Sequence, residues 1–430
     1  MSRLLLSIPT QRTIVRTLGV RTTRQAFFLV LSLGILNALT PFTIDLYLPA
    51  FPQIAAELGV AVSRMSLSVS VYFIGFALGQ ILYGPLLDRF GRQLPIYAGL
   101  AVYILASVGC MTASSFEGLL IFRFISALGG SAASVGAITM VRDYFPGKDS
   151  AKVFSLLMLV LSASPLLAPS IGSIMVMHMG WRPIFAALAG LAVIDIVIVA
   201  LAFPRVYAAD PKVSLRVAPI LRTFREALAV SQFRAYTFAG SLSFAGLFVF
   251  VSGSPAAFMD GFGVSAQLFG LIFALLAGGM VAGGQLNHLL LRYSDSPRLF
   301  RGALQVQAIA GAVFLIGAMT FDLGLWQVVG VILVFLVCTG LTYPNAASLA
   351  LQPFSKNIGS ASSLLGFIQL GVGSVAAAVV GLLDIEGTTP LAVVMCTCSL
   401  AAWIVLQRSV PASGPESREL PRASSEWDSG

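Results

Sequence analysis

The sequence predicts an all-α polytopic membrane protein, on three observations. Mean hydropathy is +0.91, with 57% hydrophobic and only 10% charged residues, whereas a soluble domain carries roughly a quarter charged residues. Apolar runs of about 20 residues, the length that a bilayer crossing requires, recur from Ala26 to Arg408. The cations between them fall almost entirely in alternate connections, as the positive-inside rule demands of a multi-pass chain.

Met1 to Arg24 holds Arg3, Arg12, Arg16, Arg21 and Arg24 and no acid. Its apolar stretch Leu4-Leu5-Leu6 is too short for a signal-peptide core of roughly 7–15 residues, so residues 1–24 read as a basic cytoplasmic tail. Twelve runs follow, at 26–50, 63–87, 94–114, 117–141, 152–178, 184–203, 233–258, 266–291, 300–320, 325–351, 358–383 and 389–408. They form two groups of six, 25–203 and 232–408. Between them lies a central cytoplasmic loop, 204–231, with Arg205, Lys212, Arg216, Arg222 and Arg225. Residues 409–430 are a Ser-, Pro- and Glu-rich cytoplasmic tail, too polar to build a core.

With the N-terminus in the cytoplasm, the outer connections hold Arg64 and Arg182 against Glu57, Glu117, Asp260, Asp322, Asp384 and Glu386. Of the 26 lysines and arginines, Arg123 alone lies away from the ends of a run, and all others except Arg64 and Arg182 lie on the cytoplasmic side. The alternation never fails, so the number of crossings is even and both termini are cytoplasmic. The net charge of +8 is thus a topology signal and gives no reason to expect nucleic-acid binding.

Several function classes are excluded. Cys110, Cys338, Cys396 and Cys398 lie in apolar runs without histidine at ligand spacing, so they read as packing residues and no metal site is expected. His178 and His288 sit near run ends, the latter in a cytoplasmic loop position. There is no Walker loop, H-E-x-x-H, G-x-S-x-G or dinucleotide fingerprint. No cofactor and no enzymatic chemistry are expected, and any uphill transport must draw on an ion gradient.

Ionisable groups inside apolar runs are costly and face a protein interior or a water-filled cavity. Asp45, Arg123 and Asp195 are the three of interest. Pro41 and Asn37 precede Asp45 by one and two helical turns and share its broad face. Proline there loosens the helix, and a carboxylate so placed can take up and release a proton. The plainer reading is a structural acid near the outer end of the first run. Arg123 precedes the small residues Gly129-Gly130-Ser131-Ala132-Ala133-Ser134, which permit close helix approach. It reads as a charge partner for Asp45 or for substrate, or as an arginine snorkelling outward. Asp195 lies mid-run among branched aliphatics, as a structural acid hydrogen-bonded to another helix, a protonated acid, or a second proton site.

The connection after the second run reads Gly84-Pro85-Leu86-Leu87-Asp88-Arg89-Phe90-Gly91-Arg92-Gln93. Glycine permits a tight turn at positive φ, Asp88 can sit near a helix N-terminus, and Arg89 and Arg92 face the cytoplasm. This stretch resembles the loop signature of the major facilitator superfamily, with Gln93 where a cation is usual. Asp45-Leu46-Tyr47-Leu48-Pro49-Ala50-Phe51-Pro52, Arg123-Phe124-Ile125-Ser126-Ala127-Leu128-Gly129-Gly130, Ser164-Pro165-Leu166-Leu167-Ala168-Pro169-Ser170-Ile171-Gly172, Ser252-Gly253-Ser254-Pro255 and Pro344-Asn345-Ala346 are similar to segments of its Bcr/CflA drug:proton antiporters. The resemblance covers roughly residues 25–408.

The resemblance implies a major facilitator fold of twelve transmembrane helices in two six-helix halves, in a bacterial inner membrane, as a monomer. It implies export of small amphipathic compounds in exchange for protons by alternating access, with a specific metabolite exported or imported as the alternative. Its partners are then a small-molecule substrate, protons and the lipid bilayer, and no nucleic acid. The loop of Gly84, Asp88, Arg89, Gly91 and Arg92 becomes a conformational latch, and Pro165, Pro169 and Gly172 the antiporter motif. Asp45, Arg123 and Asp195 are the proton-coupling candidates. In the resembled fold, runs one, four, seven and ten line the cavity. That nominates Asn37, Tyr47, Ser126, Ser243, Phe244, Phe248, Phe250, Tyr343 and Asn345, with Gln369 from run eleven. Ser126 stands where the family often has glutamine and Ile138 where it often has arginine, so the substrate can differ from those of better-known members.

Overall fold

The computed structural model describes residues 23–145, 148–203, 217–354, 358–383, 385 and 387–409. The regular elements among them are all helical. They are α1 (Thr23–Asp45), α2 (Phe51–Leu58), α3 (Ser66–Phe90), α4 (Gln93–Met111), α5 (Phe116–Tyr144), α6 (Lys148–Met179), α7 (Arg182–Ala202), α8 (Val217–Ala229), α9 (Ser231–Pro255), α10 (Ala266–Leu290), α11 (Ser296–Thr320), α12 (Leu325–Leu351), α13 (Ile358–Leu382) and α14 (Thr389–Ser409). Eleven helical columns are long and apolar enough to cross a membrane, and α6 adds the shorter apolar stretch Ala163–Met179. Each of the twelve predicted runs lies on one of these columns. The tails before Thr23 and after Ser409, with Arg205, Lys212, Arg216, Asp384 and Glu386, lie outside the described residues.

The first column departs from its predicted end at residue 50. Helix α1 stops at Asp45, a single 3-10 turn spans Leu48–Ala50, and α2 carries the apolar column on to Leu58. Pro49 and Pro52 look like terminators in the sequence. Each instead occupies the first turn of a new helical element, where a missing N–H costs nothing. Asp45 therefore sits near the middle of an apolar column, at a break in its backbone. Gly59, at φ 67°, closes α2 in the left-handed conformation.

The loop after α3 differs from the expected turn. Gly84 lies inside the helix, and Gly91, at φ 81°, makes the turn. Asp88 lies in the last turn of α3 rather than at a helix N-terminus. Arg92 donates from Nη1 to Asp88 (2.5 Å) and from Nε to Asp143 in the last turn of α5 (2.7 Å), so it ties α3 to α5. Arg89 stacks on Phe90 at 5.7 Å. Gln93 Nε2 donates to the Phe203 carbonyl just beyond α7 (2.7 Å), so a neutral amide makes a contact where the signature has a cation.

Part of the central connection is helical. The apolar face of α8 places Phe224, Ala227 and Leu228 against Phe233, Tyr236 and Phe354. Arg234 Nη1 donates to the Leu228 and Ala229 carbonyls, satisfying the open end of α8 with a cation that its dipole favours.

Helices α1 and α3–α7 pack on one another, as do α9–α14, and the two groups meet through α3 against α13 and α6 against α10. The perimeter presents Leu105, Leu201, Ile316 and Leu382, all strongly exposed, as a membrane-embedded surface requires. The four cysteines are free and buried.

Candidate functional site

Helix α1 has two working faces. Pro41, Ile44 and Asp45 point into a cavity of about 570 Å³ between the two helical groups, a volume typical of small-molecule sites. Phe73 of α3 and Pro165 of α6 add to its wall, and the rest comes from α9 (Phe244 to Val251), α10 (Phe273 to His288) and α12 (Thr339 to Pro344). The lining is mostly apolar. Phe244 packs on Tyr343 (4.7 Å between ring centroids) and on Phe248 (5.4 Å), and Phe248 meets Phe73 edge-on at 4.3 Å. Asp45 is the only carboxylate on this wall among the described residues. It is 5% exposed, and that exposure is to the cavity.

The other face of α1 turns into the first helical group, where it meets Arg123. This arginine is fully buried. Its guanidinium carbon lies 4.3 Å from the Tyr47 ring centroid and 4.4 Å from that of Tyr72. Its Nη1 donates to the Thr43 carbonyl at 3.2 Å. That carbonyl is in the last turn of α1, where backbone acceptors lack helical partners and the dipole favours a cation. Each desolvated cation–π contact adds up to about 2 kcal/mol.

The predicted pairing of Arg123 with Asp45 is absent, since no ion pair joins them among the described residues. Thr43 and Asp45 are two positions apart on a helix, roughly 160° around its axis, so an arginine bound at Thr43 faces away from the cavity. Two of its nitrogens, Nε and Nη2, have no hydrogen-bond partner among the described residues, nor do Thr40 Oγ1, Tyr72 OH and Asn37 Nδ2.

The nominated residues divide accordingly. Phe244, Phe248, Phe250 and Tyr343 line the cavity. Asn37 accepts a hydrogen bond from Ser134 (3.0 Å), Tyr47 bonds to Ser68, and Ser126 donates to the Arg123 carbonyl (2.8 Å), all within the first group. Ser243 bonds to Gln307 and Thr342. Asn345 donates to Asn287 (2.6 Å) and stands directly behind that lining residue. Gln369 is buried on α13, away from the cavity wall. Asp195 is also fully buried off the cavity, and neither of its oxygens has a hydrogen-bond partner among the described residues. The expected bond to a neighbouring helix is therefore missing.

Run four does not line the cavity. Its small residues seat α5 against α3 and α4, as at Gly129, where a Cβ would fall 2.6 Å from the Tyr103 amide nitrogen. Helix α10 lines it instead. His288, read from sequence as a loop position, lies in the last turn of α10 on the cavity wall. On α6, Pro165 reaches the cavity. One turn beyond Pro169, Gly172 lies so close to α1 that a Cβ would come within 1.9 Å of the Leu46 carbonyl oxygen, next to Asp45.

Comparison with known proteins agrees with this architecture. The profile of the Major Facilitator Superfamily matches residues 33–378. A bicyclomycin resistance protein homolog of Haemophilus influenzae is 28% identical over 395 residues, 91% of this chain and 99% of that protein. A chloramphenicol resistance protein of Pseudomonas aeruginosa is 31% identical over 386 residues, 88% of each chain. The solved structure of a D-xylose–proton symporter has a TM-score of 0.68 at 14% identity, covering 89% of this chain and 98% of that one; this likeness concerns the fold. On its sequence and its helical architecture together, the chain belongs to the major facilitator superfamily of membrane transporters.

Proposed function

We propose that the protein exports small amphipathic compounds across a bacterial inner membrane in exchange for protons, by alternating access. The observation that carries this reading is one carboxylate, Asp45, on the wall of an aromatic cavity between two helical groups. The cavity extends from Asp45 to His288 in the last turn of α10, toward the end of the bundle that holds Arg92. At the opposite end the two groups are joined by hydrogen bonds from Ser66, Ser70 and Ser173 to the Ser252, Ser374 and Ala266 carbonyls, which close it. On the orientation that the positive-inside rule supports, with the Arg92 end and both termini in the cytoplasm, we read this as an inward-facing state, and the family resemblance supports a monomer with two six-helix halves. The bicyclomycin and chloramphenicol resistance relatives suggest compounds with an apolar body and several hydrogen-bonding groups, which suit this wall.

In the mechanism, Asp45 takes a proton when the cavity opens outward and releases it to the cytoplasm in the state described here. Substrate on the aromatic wall travels the other way. One charge crossing 100 mV supplies about 2.3 kcal/mol, equivalent to an accumulation of about 50-fold. In everted membrane vesicles, chloramphenicol or bicyclomycin should accumulate when the lumen is acidified, and a protonophore should collapse the gradient. Accumulation that ignores the protonophore would rule out the coupling.

Arg123 acts here by fixing the end of α1, and so the position of Asp45. Arg123→Ala leaves two tyrosine faces and the Thr43 carbonyl without their cation and should be inactive. Arg123→Lys keeps the charge but loses the planar stacking. It should reduce vesicle accumulation about tenfold at equal membrane abundance, an effect of about 1.4 kcal/mol. Full activity in the lysine variant would show that the charge alone suffices.

A further inference from the structure

A second cavity, of about 450 Å³, lies beyond the closed end of the first. Its wall includes Pro52 and Ala55 of α2, Gly253 at the end of α9, Val380 of α13 and Leu391 of α14. Asp260, on the π-helical turn Ala256–Gly261 after α9, is the only carboxylate on its wall among the described residues. The first cavity is walled by aromatic rings, whereas the second has none among the described residues and is more polar, with Ser63 and Asp260 on its wall.

The wall between them is thin. Along α9, Val251 lines the first cavity and Gly253 the second. The residue between, Ser252, gives its backbone carbonyl to the Ser66 hydroxyl of α3 at 2.9 Å. One turn along α3, Ser70 donates to the Ser374 carbonyl of α13 at 2.7 Å. Another turn on, Phe73 meets Phe248. Ser66, Ser70 and Phe73 form a single stripe on α3, at the spacing that shares one helix face. All four serines are buried. A third hydroxyl, Ser173 of α6, reaches the Ala266 carbonyl at the start of α10 (2.7 Å). Every one of these bonds runs from a side chain of the first group to a backbone carbonyl of the second.

We propose that the second cavity is the release-side compartment for the exported compound and that the Ser66 and Ser70 hydroxyls hold the partition shut. This rests on the transport reading and the orientation above. When the partition parts, Val251 and Gly253 come to line one continuous passage, and a solute leaving the aromatic wall moves onto a more polar surface from which it is released. The serines act through the carbonyls that they hold and are positioning residues. Loss of one such bond shifts a two-state equilibrium about fivefold, equivalent to about 1 kcal/mol.

Spin labels introduced by Ala61→Cys and Ile385→Cys flank the second cavity, and the four native cysteines are buried. Their distance distribution is measured in the full-length protein in lipid nanodiscs. Ser66→Ala should raise the ratio of open to closed populations about fivefold, and Ser66→Ala with Ser70→Ala at least tenfold. Threonine at either position, which keeps the hydroxyl, should restore the closed population. An unchanged distribution in the double alanine variant, or threonine behaving as alanine, overturns the proposal. The distances do not depend on transport. A shifted population in a protein that accumulates no chloramphenicol would keep the latch and sink the export reading, and the reverse result would sink the latch alone.

Discussion

Asp45→Asn should abolish proton-driven accumulation while the protein still inserts and folds at wild-type levels. Asparagine has the size and most of the hydrogen-bonding capacity of aspartate, but its amide cannot take up and release a proton as a carboxylate does. Asp45 is the only carboxylate on the first cavity wall among the described residues, so none of those neighbours can take over. The expected loss is the whole coupled component, about 50-fold in accumulation ratio at 100 mV. Facilitated movement down a drug gradient should survive, because the aromatic wall is intact. Everted vesicles, with and without a pH gradient, separate the two components. Asp195→Asn is the matched control. That side chain lies off the cavity wall and has no hydrogen bond to lose among the described residues, so at least half of the activity should remain. The reverse pattern would move the proton site to α7.

The second large effect is expected at Gly172→Ala. The added Cβ would fall 1.9 Å from the Leu46 carbonyl oxygen. The obstacle is main chain, so no rotamer change relieves it, and either α6 or the end of α1 must move. Overpacking of this kind costs about 1–3 kcal/mol. It acts on the Leu46–Tyr47 peptide, one residue past Asp45, and a displacement of about 1 Å there also disturbs Pro41, Ile44 and the Thr43 carbonyl held by Arg123. Accumulation should fall more than tenfold, and the midpoint of thermal unfolding in detergent should drop as well. Gly190→Ala in α7, where nothing lies within 4 Å of the added carbon, should change neither. Normal transport by Gly172→Ala would mean that the close contact plays no part in placing Asp45.

The positions of the helical columns were legible because a run of about 20 apolar residues has few folded alternatives. The break at Asp45 was not, since Pro49 and Pro52 mark the end of one helix and the beginning of another with the same residue type. Sequence located Arg123 and Asp45 at similar depth and so suggested a pair. Depth says nothing about direction around a helix, and direction separates them here. The aromatic half of the cavity was readable from Phe244, Phe248 and Tyr343. Helix α10 was not, because its lining of Phe273, Ala277, Met280 and Gly284 has the composition of any packed membrane helix. The small residues of run four did signal close approach, but to α3 and α4 rather than to a ligand.

The closed end has an asymmetry with evolutionary weight. Its three hydroxyls belong to the first helical group and land on main-chain oxygens of the second. Replacing the side chain at 252, 266 or 374 leaves the acceptor in place, so these bonds set no requirement on the residue type there. Heritable tuning of how readily the pump opens outward is therefore concentrated in one half of the gene, at the codons for Ser66, Ser70 and Ser173.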